Sequence, residues 1–539
     1  MIRPGNLGHS VAGAAAALVA VALFLSSAAA DVLICRKDLP PDGTVIEGAP
    51  KVFVDEVPEI GAIELAASRG RSRDGRATVR LLALRIAFIP DNDPHSTGDG
   101  TFDYSEFQED TFDSPPHDKL YFELHMTALD NYYGSVSYDN LEIEFDVFPA
   151  EPESAYIVPH DMGYYHDYSE EQVWYVSQVE KFTRDAFAAA DTSDSIDFSQ
   201  YDGYILFHAG ADWQSDINLD SPFDLPSAHI MLGEPILVND GAVEVWSAAI
   251  MPETSCQDGL TMVLNGTLVH EVGHTLGLPD LYNVSNFFPA IGMWGIMDSG
   301  GSIGMNSPWG WAYGLIPASP CAWSKEYLGW LDPVVLLDDA DDIQVKATEL
   351  RGPGDRLFKI PITSDEYFLI ENRLDDIGHD LTVAIDVAEE RGVVLGPVDP
   401  ILEPPVLNHE YDFLLPGPGM LIYHIDDTRV LPGLMPWDTV NADRHRLGVA
   451  VEEADGIMDL GNINSFYWAG SRYDPFFAEN NGTFSWDTYP STDTNMGGKT
   501  YVTVTNISDT GDVMTMDLRF DRWKDGWPID LNEPLGSMT

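Results

Sequence analysis

The sequence predicts an α+β protein, and three observations support that fold class. Between residues 76 and 260, strand-like apolar runs alternate with helical patterns, as expected of a mixed sheet with helices packed on it. An apolar helical segment, LNGTLVHEVGHTLG (264–277), follows and ends at Gly277 and Pro279. After about residue 335, short strand patterns lie between turn-rich loops, so the C-terminal half is expected to be β-rich.

Each element is predicted from its own pattern. The run TVRLLALRIAFIP (78–90) is apolar, rich in β-forming residues and bounded by Pro90 and Asp91, which indicates a buried strand. The other elements predicted in this half are the strands LEIEFDVF (141–148), YDGYILFHAG (201–210) and VEVWSAAIM (243–251), and the helix EEQVWYVSQVEKFTRDAFAAAD (170–191). The strands predicted in the C-terminal half are EYFLIENR (366–373), GMLIYHIDD (419–427), LGVAVEEADG (447–456), YVTVTNIS (501–508) and DVMTMDLRF (512–520), with 386–418 as a long Pro-rich and acidic excursion.

The charge balance excludes several classes of partner. The chain has 28 basic and 88 acidic side chains, a formal net charge of −60. Such a surface repels phosphate backbones and anionic headgroups, so no nucleic acid and no membrane surface is expected as a partner. The acidic residues are either a solubilising surface or, in part, calcium ligands. The expected state is a monomer.

The N-terminus predicts export. An apolar run at 11–25 follows Arg3 and leads to Ala28-Ala29-Ala30 before Asp31, the pattern of a secretory signal with a cleavage site near Ala30. A retained anchor is the alternative, but the run is shorter than the ~20 residues that span a bilayer. The protein is therefore expected to be secreted.

Three cysteines, Cys35, Cys256 and Cys321, remain in a compartment where disulfides form. A bridge between Cys256 and Cys321 is one interpretation, although spacing does not fix its geometry.

The segment VHEVGH predicts a metal site. On a helix, His270 and His274 lie one turn apart on the same face, where both imidazoles can reach one ion. Glu271 lies about 100° round the helix, beside the ion, where it can serve as a general base. Gly277 permits a sharp turn that brings Asp280 back as a third ligand and leaves a fourth position open, as in a catalytic zinc site. The alternative is an ordinary helix with two histidines on one face, but the extended pattern His-x-x-Gly-x-x-Asp favours zinc.

The motifs HEVGHTLGLPDLY (270–282), GIMDSGG (295–301) and CAWSKEYLGWLDP (321–333) resemble secreted metallopeptidases of the immune inhibitor A type. The resemblance continues upstream in YYGSVSYDNLEIEFDVFP and IDFSQYDGYILFHAG, and downstream in FLIENR, GMLIYHID, GVAVEEADG and YDPF, over about 76–520. It implies a zincin fold of metzincin-like type, made as a secreted precursor (a zymogen). Its metal ligands would be His270, His274 and Asp280.

The same resemblance implies further roles. Glu271 would be the general base and Met297 the methionine of a Met-turn below the metal. Calcium-stabilised relatives suggest a second metal, and the candidate ligands are Glu452, Glu453, Asp455 and Asp474, with a solvated acidic turn as the alternative. Many metzincins have a third histidine where this chain has Asp280, a harder, anionic ligand that changes the net charge at the metal.

The implied organisation is a signal peptide (1–30), an N-terminal leader or propeptide (31–75), a zinc metallopeptidase catalytic domain (76–335), a β-rich domain continuing the peptidase module (336–522) and a tail or truncated module (523–539). The expected activity is that of a zinc endopeptidase that holds an extended substrate against a sheet edge, with 243–251 as the candidate edge strand. Tyr282 is a candidate oxyanion partner, although a packed tyrosine is the simpler interpretation. A catalytically silent or adhesive surface protein with the same fold is the alternative function.

Overall fold

The computed structural model describes residues 31–36, 76–166, 172–402 and 406–521. The predicted signal peptide, most of the predicted propeptide and the predicted tail lie outside these residues. The protein is a mixed α/β structure, so the coarse fold class is confirmed.

The N-terminal half contains nine strands and three longer helices in the described residues. The strands are β1 (Asp31–Arg36), β2 (Ala77–Ala87), β3 (Leu141–Phe148), β4 (Tyr156–Ile157), β5 (Gly203–Ala211), β6 (Ala228–Val238), β7 (Val243–Thr254), β8 (Gly304–Ser307) and β9 (Gly310–Tyr313). The helices are α1 (Lys119–Val136), α2 (Gln172–Ser193) and α3 (Leu264–Thr275).

The main sheet of this half has the order β3-β2-β5-β7-β6, with β4 also paired to β2. Strands β3, β2, β5 and β7 are parallel, and β6 pairs antiparallel with β7 at the edge. The prediction that 243–251 is an edge strand is therefore wrong, because β7 lies between β5 and β6. The apolar character of Ala248–Met251 fits this interior position, since both faces of a central strand are covered.

Helix α1 and the edge strand β6 were not among the predicted elements. Helix α1 begins at the N-cap Asp118, whose carboxylate accepts the N–H of Tyr121, and it buries Phe122, Met126 and Leu129 at helical spacing. The Tyr133 hydroxyl donates to the carbonyl of Val269 at 2.6 Å, which joins α1 to α3. This helix therefore forms one wall behind the candidate site.

The C-terminal half is β-rich, as predicted. Its strands are β10 (Val334–Val335), β11 (Ala340–Lys346), β12 (Leu357–Pro361), β13 (Glu366–Arg373), β14 (Thr382–Ala388), β15 (Val393–Asp399), β16 (Val406–Leu407), β17 (Gly419–Asp426), β18 (Val449–Val451), β19 (Phe484–Ser485), β20 (Val502–Thr505) and β21 (Val513–Phe520). Two short helices, α4 (Ala322–Tyr327) and α5 (Asp427–Gly433), complete the set. The predicted strand at 447–456 shrinks to β18, because a turn begins just after it.

These strands form three sheets, with the orders β10-β12-β13-β17-β18, β11-β21-β20-β19 and β1-β14-β15-β16. The last sheet occupies part of the region predicted as a long excursion. One hydrophobic core contains residues of both halves, among them Leu206, Val272 and Tyr423, while a second core lies within the β-rich half. No helix within the described ranges has the length and apolar content needed to cross a bilayer.

Candidate metal centre

Helix α3 carries the predicted motif and ends where the sequence predicted. Gly277 has a φ of +96°, a left-handed conformation that favours glycine, and the N–H of Leu278 donates to the carbonyl of Gly273. At the other end, the Asp113 carboxylate accepts the N–H of Leu264 at 2.9 Å. A side chain 151 residues away in sequence thus supplies the cap at the start of the helix.

The three predicted ligands lie together. Nε2 of His270 is 3.1 Å, and Nε2 of His274 is 3.4 Å, from Oδ1 of Asp280. Two ligand atoms in tetrahedral directions around zinc are separated by about 3.3 Å when each is about 2.0–2.1 Å from the ion. The spacing of the three side chains therefore fits one small metal ion.

Hydrogen bonds on the far side of each imidazole set its orientation. Nδ1 of His270 is 2.9 Å from the carbonyl oxygen of Ile296, and Nδ1 of His274 is 2.8 Å from that of Leu278. Because a carbonyl only accepts, each Nδ1 carries a proton and each Nε2 faces Asp280, so the neutral form of each ring would offer its Nε2 lone pair to a metal there. We refer to His270, His274 and Asp280 as the histidine–aspartate site.

Met297 lies under this helix, at the place expected of a Met-turn. A Cβ added to Gly273 would meet the Met297 sulfur at 2.5 Å, so the thioether packs directly on the helix backbone between the two histidines. The carbonyl of Met297 accepts the N–H of Leu281 at 2.7 Å, next to Asp280. The methionine loop therefore supports both the helix and the Asp280 turn.

Gly266 is a positioning residue that was not predicted. A Cβ at this position would lie 1.8 Å from the carbonyl oxygen of Gly301. Gly266 and Gly273 are seven residues, about two turns, apart on α3, so both lie on the face toward 297–301. The recurrence of glycine at this spacing was a sequence signal for close backbone packing.

Glu271 lines the same small cleft as His270. The cleft has a volume of about 50 Å³ and is also bordered by Tyr282, Phe287 and Asp298. The ring of Tyr282 stacks against that of His270 at a centroid distance of 6.3 Å. Burial, together with the negative charge of Glu271, raises the pKa of Tyr282 well above its ordinary value, so this phenol stays protonated and can donate.

Asp298 is a second residue of the cleft that was not predicted. Its Oδ2 accepts the N–H groups of Ala290, Ile291 and Gly292 at 2.8, 2.8 and 2.9 Å. Burial raises the pKa of Asp298 to about 6, although these three donors favour the charged form. The carboxylate fixes the loop that precedes the Met-turn, which explains an aspartate directly after Met297.

His229 on the edge strand β6 also lies near the site. Its ring centroid is 5.6 Å from that of His274, and its strand neighbour in β7 is Ala249. The group of three residues whose ligand atoms lie close enough to share an ion does not include His229. Both ring nitrogens of His229 are buried, and the ring packs beside that of His274.

The calcium candidates separate into two groups. Glu453 and Asp474 lie close enough to share one ion, and the third member of their group is Asp459, which was not predicted. Glu452 instead contacts His424, with Oε1 at 3.2 Å from Nδ1, and Asp455 accepts the N–H of Ile457 in a local turn. Glu452 and Asp455 therefore lie outside this group of three, and calcium binding by any of the four candidates stays a prediction.

We call Glu453, Asp459 and Asp474 the carboxylate cluster. Burial, reinforced by the charge of Asp474, raises the pKa of Glu453 to about 8. Burial also raises the pKa of Asp474 to about 6, although it accepts hydrogen bonds from Ser471 and, at 3.0 Å, from the indole N–H of Trp294. Trp294 belongs to the loop before Met297, so this hydrogen bond links the cluster to that loop.

A buried set of charges also connects the two halves at Trp294. The Arg373 guanidinium donates to the Trp294 carbonyl at 3.0 Å and to both oxygens of Asp412 at 2.6 Å. Burial alone would raise the pKa of Asp412, but the charges of Arg373 and Lys325 and the hydrogen bonds to this carboxylate together lower it. Lys325 pairs with Glu371 at 3.1 Å. Both ion pairs are inaccessible to solvent, so removal of one partner would leave a buried charge.

The predicted disulfide is not formed. Cys256 and Cys321 are both free thiols, with their sulfurs near the carbonyl of Met262 and the hydroxyl of Ser324. The loop around the motif is instead held by packing and hydrogen bonds.

Comparison of the sequence with protein-family models and with curated proteins gave no match in either case.

Proposed function

We propose that the protein is a secreted, zinc-dependent endopeptidase of zincin type that resembles the immune inhibitor A metallopeptidases. The observation that carries the proposal is the histidine–aspartate site, where three ligand atoms from the extended HEVGH motif lie within reach of one ion. The proposal also draws on the position of Glu271, which lines the same cleft as His270.

The donor set suits zinc. Two neutral imidazoles and one carboxylate form a small, mixed nitrogen and oxygen site with a remaining open position, as catalytic zinc requires. When bound, zinc would polarise the scissile carbonyl and acidify a water molecule. Calcium, by contrast, takes six to eight oxygen ligands and does not suit this pair of imidazoles.

The side chains of the cleft supply the remaining chemistry. Glu271 takes a proton from the attacking water and returns it to the leaving amine, so its carboxylate is unchanged at the end of the cycle. Tyr282 keeps its proton and can donate to the oxygen on which negative charge develops. An extended substrate would pair with β6, which is an edge strand of the main sheet among the described residues.

The direct test combines metal analysis with proteolysis. Purified mature protein should contain one zinc per chain, digest casein, lose the activity with a zinc chelator and regain it when zinc is added back. A zinc-loaded protein that cleaves neither casein nor a peptide library would contradict the proposal. That result would favour the alternative, a silent surface protein with the same fold.

We also propose that the carboxylate cluster binds calcium. Its three side chains offer only oxygen ligands, and Glu453, Asp459 and Asp474 are all buried, where a divalent cation would balance their charge. The bond from Trp294 to Asp474 would then make the loop before Met297 sensitive to calcium.

A further inference from the structure

We propose that Asp438, in the β-rich half, is a positioning residue for the metal ligand Asp280. The inference rests on the proposed function, since it assigns Asp438 a role at the metal centre of the peptidase. Residues 434–442 would then help to position a metal ligand, although they lie about 160 residues beyond the motif in sequence.

The main contact is to the ligand residue itself. Oδ1 of Asp438 accepts the backbone N–H of Asp280 at 2.7 Å, and both residues are buried. A hydrogen bond of this length fixes the peptide plane from which the Asp280 side chain projects. The position of the Asp280 carboxylate relative to the two imidazoles therefore depends on Asp438.

Two more hydrogen bonds hold the same turn. The Asn441 side-chain amide donates to the carbonyl of Leu281 at 2.8 Å, and that of Asn283 donates to the carbonyl of Ala442 at 3.1 Å. Because the N–H of Leu281 donates to Met297, the turn is held from both sides. The methionine loop supports one side of the turn, and the 434–442 segment supports the other.

The 434–442 segment is itself firmly placed. Oδ1 of Asn441 accepts the N–H groups of Gly448 and Val449 at 2.9 and 3.1 Å, which joins the segment to β18. A Cβ on Gly433 would lie 2.7 Å from the Val440 nitrogen, so the two ends of the segment are in close contact. These contacts hold the segment in place, so it can support the turn that carries Asp280.

The backbone at Asp438 suggests which variants to use. Its φ is +52°, a left-handed conformation that glycine adopts freely and that asparagine and aspartate tolerate better than other residues. Asp438→Gly removes the acceptor while keeping this conformation, whereas Asp438→Asn keeps an acceptor oxygen of the same reach. Asp240→Gly is a matched control, since Asp240 is also left-handed (φ +57°) but lies exposed in the turn between β6 and β7.

The experiment measures zinc affinity by competition with a chromophoric chelator, alongside the thermal unfolding of each protein. Asp438→Gly should weaken zinc binding by about 10–100-fold, the usual effect of losing a group that orients a ligand. Asp438→Asn should stay within about three-fold of wild type, because the N–H of Asp280 keeps an acceptor. Asp240→Gly should bind zinc as wild type does.

The outcomes separate this inference from the proposed function. If wild type binds no zinc, the proposed function fails. If wild type binds zinc and Asp438→Gly binds it equally well, the positioning role fails alone. An Asp438→Asn variant as weak as Asp438→Gly would also overturn it, because the acceptor would then not matter.

A second measurement applies if Asp438→Gly does not fold. Residue-resolved hydrogen exchange of zinc-free wild type should show a protected Asp280 amide, since its acceptor comes from Asp438 and not from the metal. Rapid exchange at that amide would overturn the inference.

Discussion

The histidine–aspartate site and the carboxylate cluster are assembled in different ways. The histidine–aspartate site takes its three side chains from positions 270 to 280, and one helix turn and one glycine bring them together. The carboxylate cluster takes its members from positions 453 to 474, in an irregular segment, and it contacts Trp294 from the other half. Spacing in the sequence was enough to predict the histidine–aspartate site, whereas the members of the carboxylate cluster are identified only in the folded structure.

Two adjacent residues show this contrast most clearly. Glu452 and Glu453 were indistinguishable as calcium candidates, yet Glu452 pairs with His424 while Glu453 turns to Asp459 and Asp474. In an extended segment, adjacent side chains point to opposite sides, but the sequence does not show which side has other possible metal ligands. A run of acidic residues therefore suggests that a cation binds nearby, but it does not identify which of the residues bind it.

The largest effect is expected at Glu271. Glu271→Gln should lower kcat on a peptide substrate by about 10²–10⁴-fold, because proton transfer is lost while the site keeps its ligands. Zinc content should stay at the wild-type value, as measured by plasma mass spectrometry. Activity near that of wild type would remove Glu271 as the base, and loss of zinc would make it a ligand.

The next largest effect is expected at Asp280, the proposed third ligand of the histidine–aspartate site. Asp280→Ala should weaken zinc binding by about 100-fold or more, beyond the 10–100-fold typical of an orienting group, because it removes a ligand. Chelator competition measures this, with the exposed Asp338→Ala as a control for carboxylate loss. An unchanged zinc affinity would mean that Asp280 is only a hydrogen-bonding neighbour of the histidines.

Much of the fold and of the first site could be predicted from the sequence. The continuous apolar run 78–90 became β2 and the alternating run 141–148 became β3, because both patterns are local properties of the sequence. The order of β7 and β6 could not be predicted, since strand order depends on which edges meet after folding. Likewise, nothing in the sequence near Asp280 indicates that the Asp438 carboxyl group accepts the Asp280 N–H.

The packing below the local site gives a third prediction. Gly266→Ala should destabilise the protein by about 3 kcal/mol or more, because a Cβ 1.8 Å from the Gly301 carbonyl requires the backbone to move. Gly134→Ala in α1 is the matched control, since its Cβ would meet nothing closer than 3.9 Å and should be neutral or slightly stabilising. Equal denaturant midpoints for the two variants would contradict this packing.

A fourth prediction concerns His424 in the β-rich half, which is hydrogen-bonded to Glu452. Burial alone would lower the pKa of His424, but hydrogen bonds to Glu366 and Glu452 outweigh it and raise the pKa to about 9. The folded state therefore binds this proton more tightly than the unfolded state, whose histidine titrates near 6.5. The resulting stability is complete below pH 6.5, declines above it and is lost as pH passes about 9.

The size of this effect is at most about 3.4 kcal/mol, from 1.36 kcal/mol for each unit of difference between a pKa of about 9 and one of 6.5. Denaturant unfolding of wild type and His424→Gln at pH 6 and pH 10 measures it. The stability difference between the two proteins should be large at pH 6 and small at pH 10. A difference that does not change with pH would show that His424 is neutral in the fold.

The smallest effect is expected from calcium at the carboxylate cluster. An ion present at 100 times its dissociation constant stabilises the folded state by about 2.7 kcal/mol, so EGTA should lower the melting temperature by a few degrees while leaving zinc in place. Glu453→Gln should abolish this response, because it removes a buried ligand of the cluster. Asp455→Asn should keep it, since Asp455 bonds only within its own turn among the contacts described. A response that disappears in Asp455→Asn and survives in Glu453→Gln would show that the acidic run, and not the folded cluster, holds the ion.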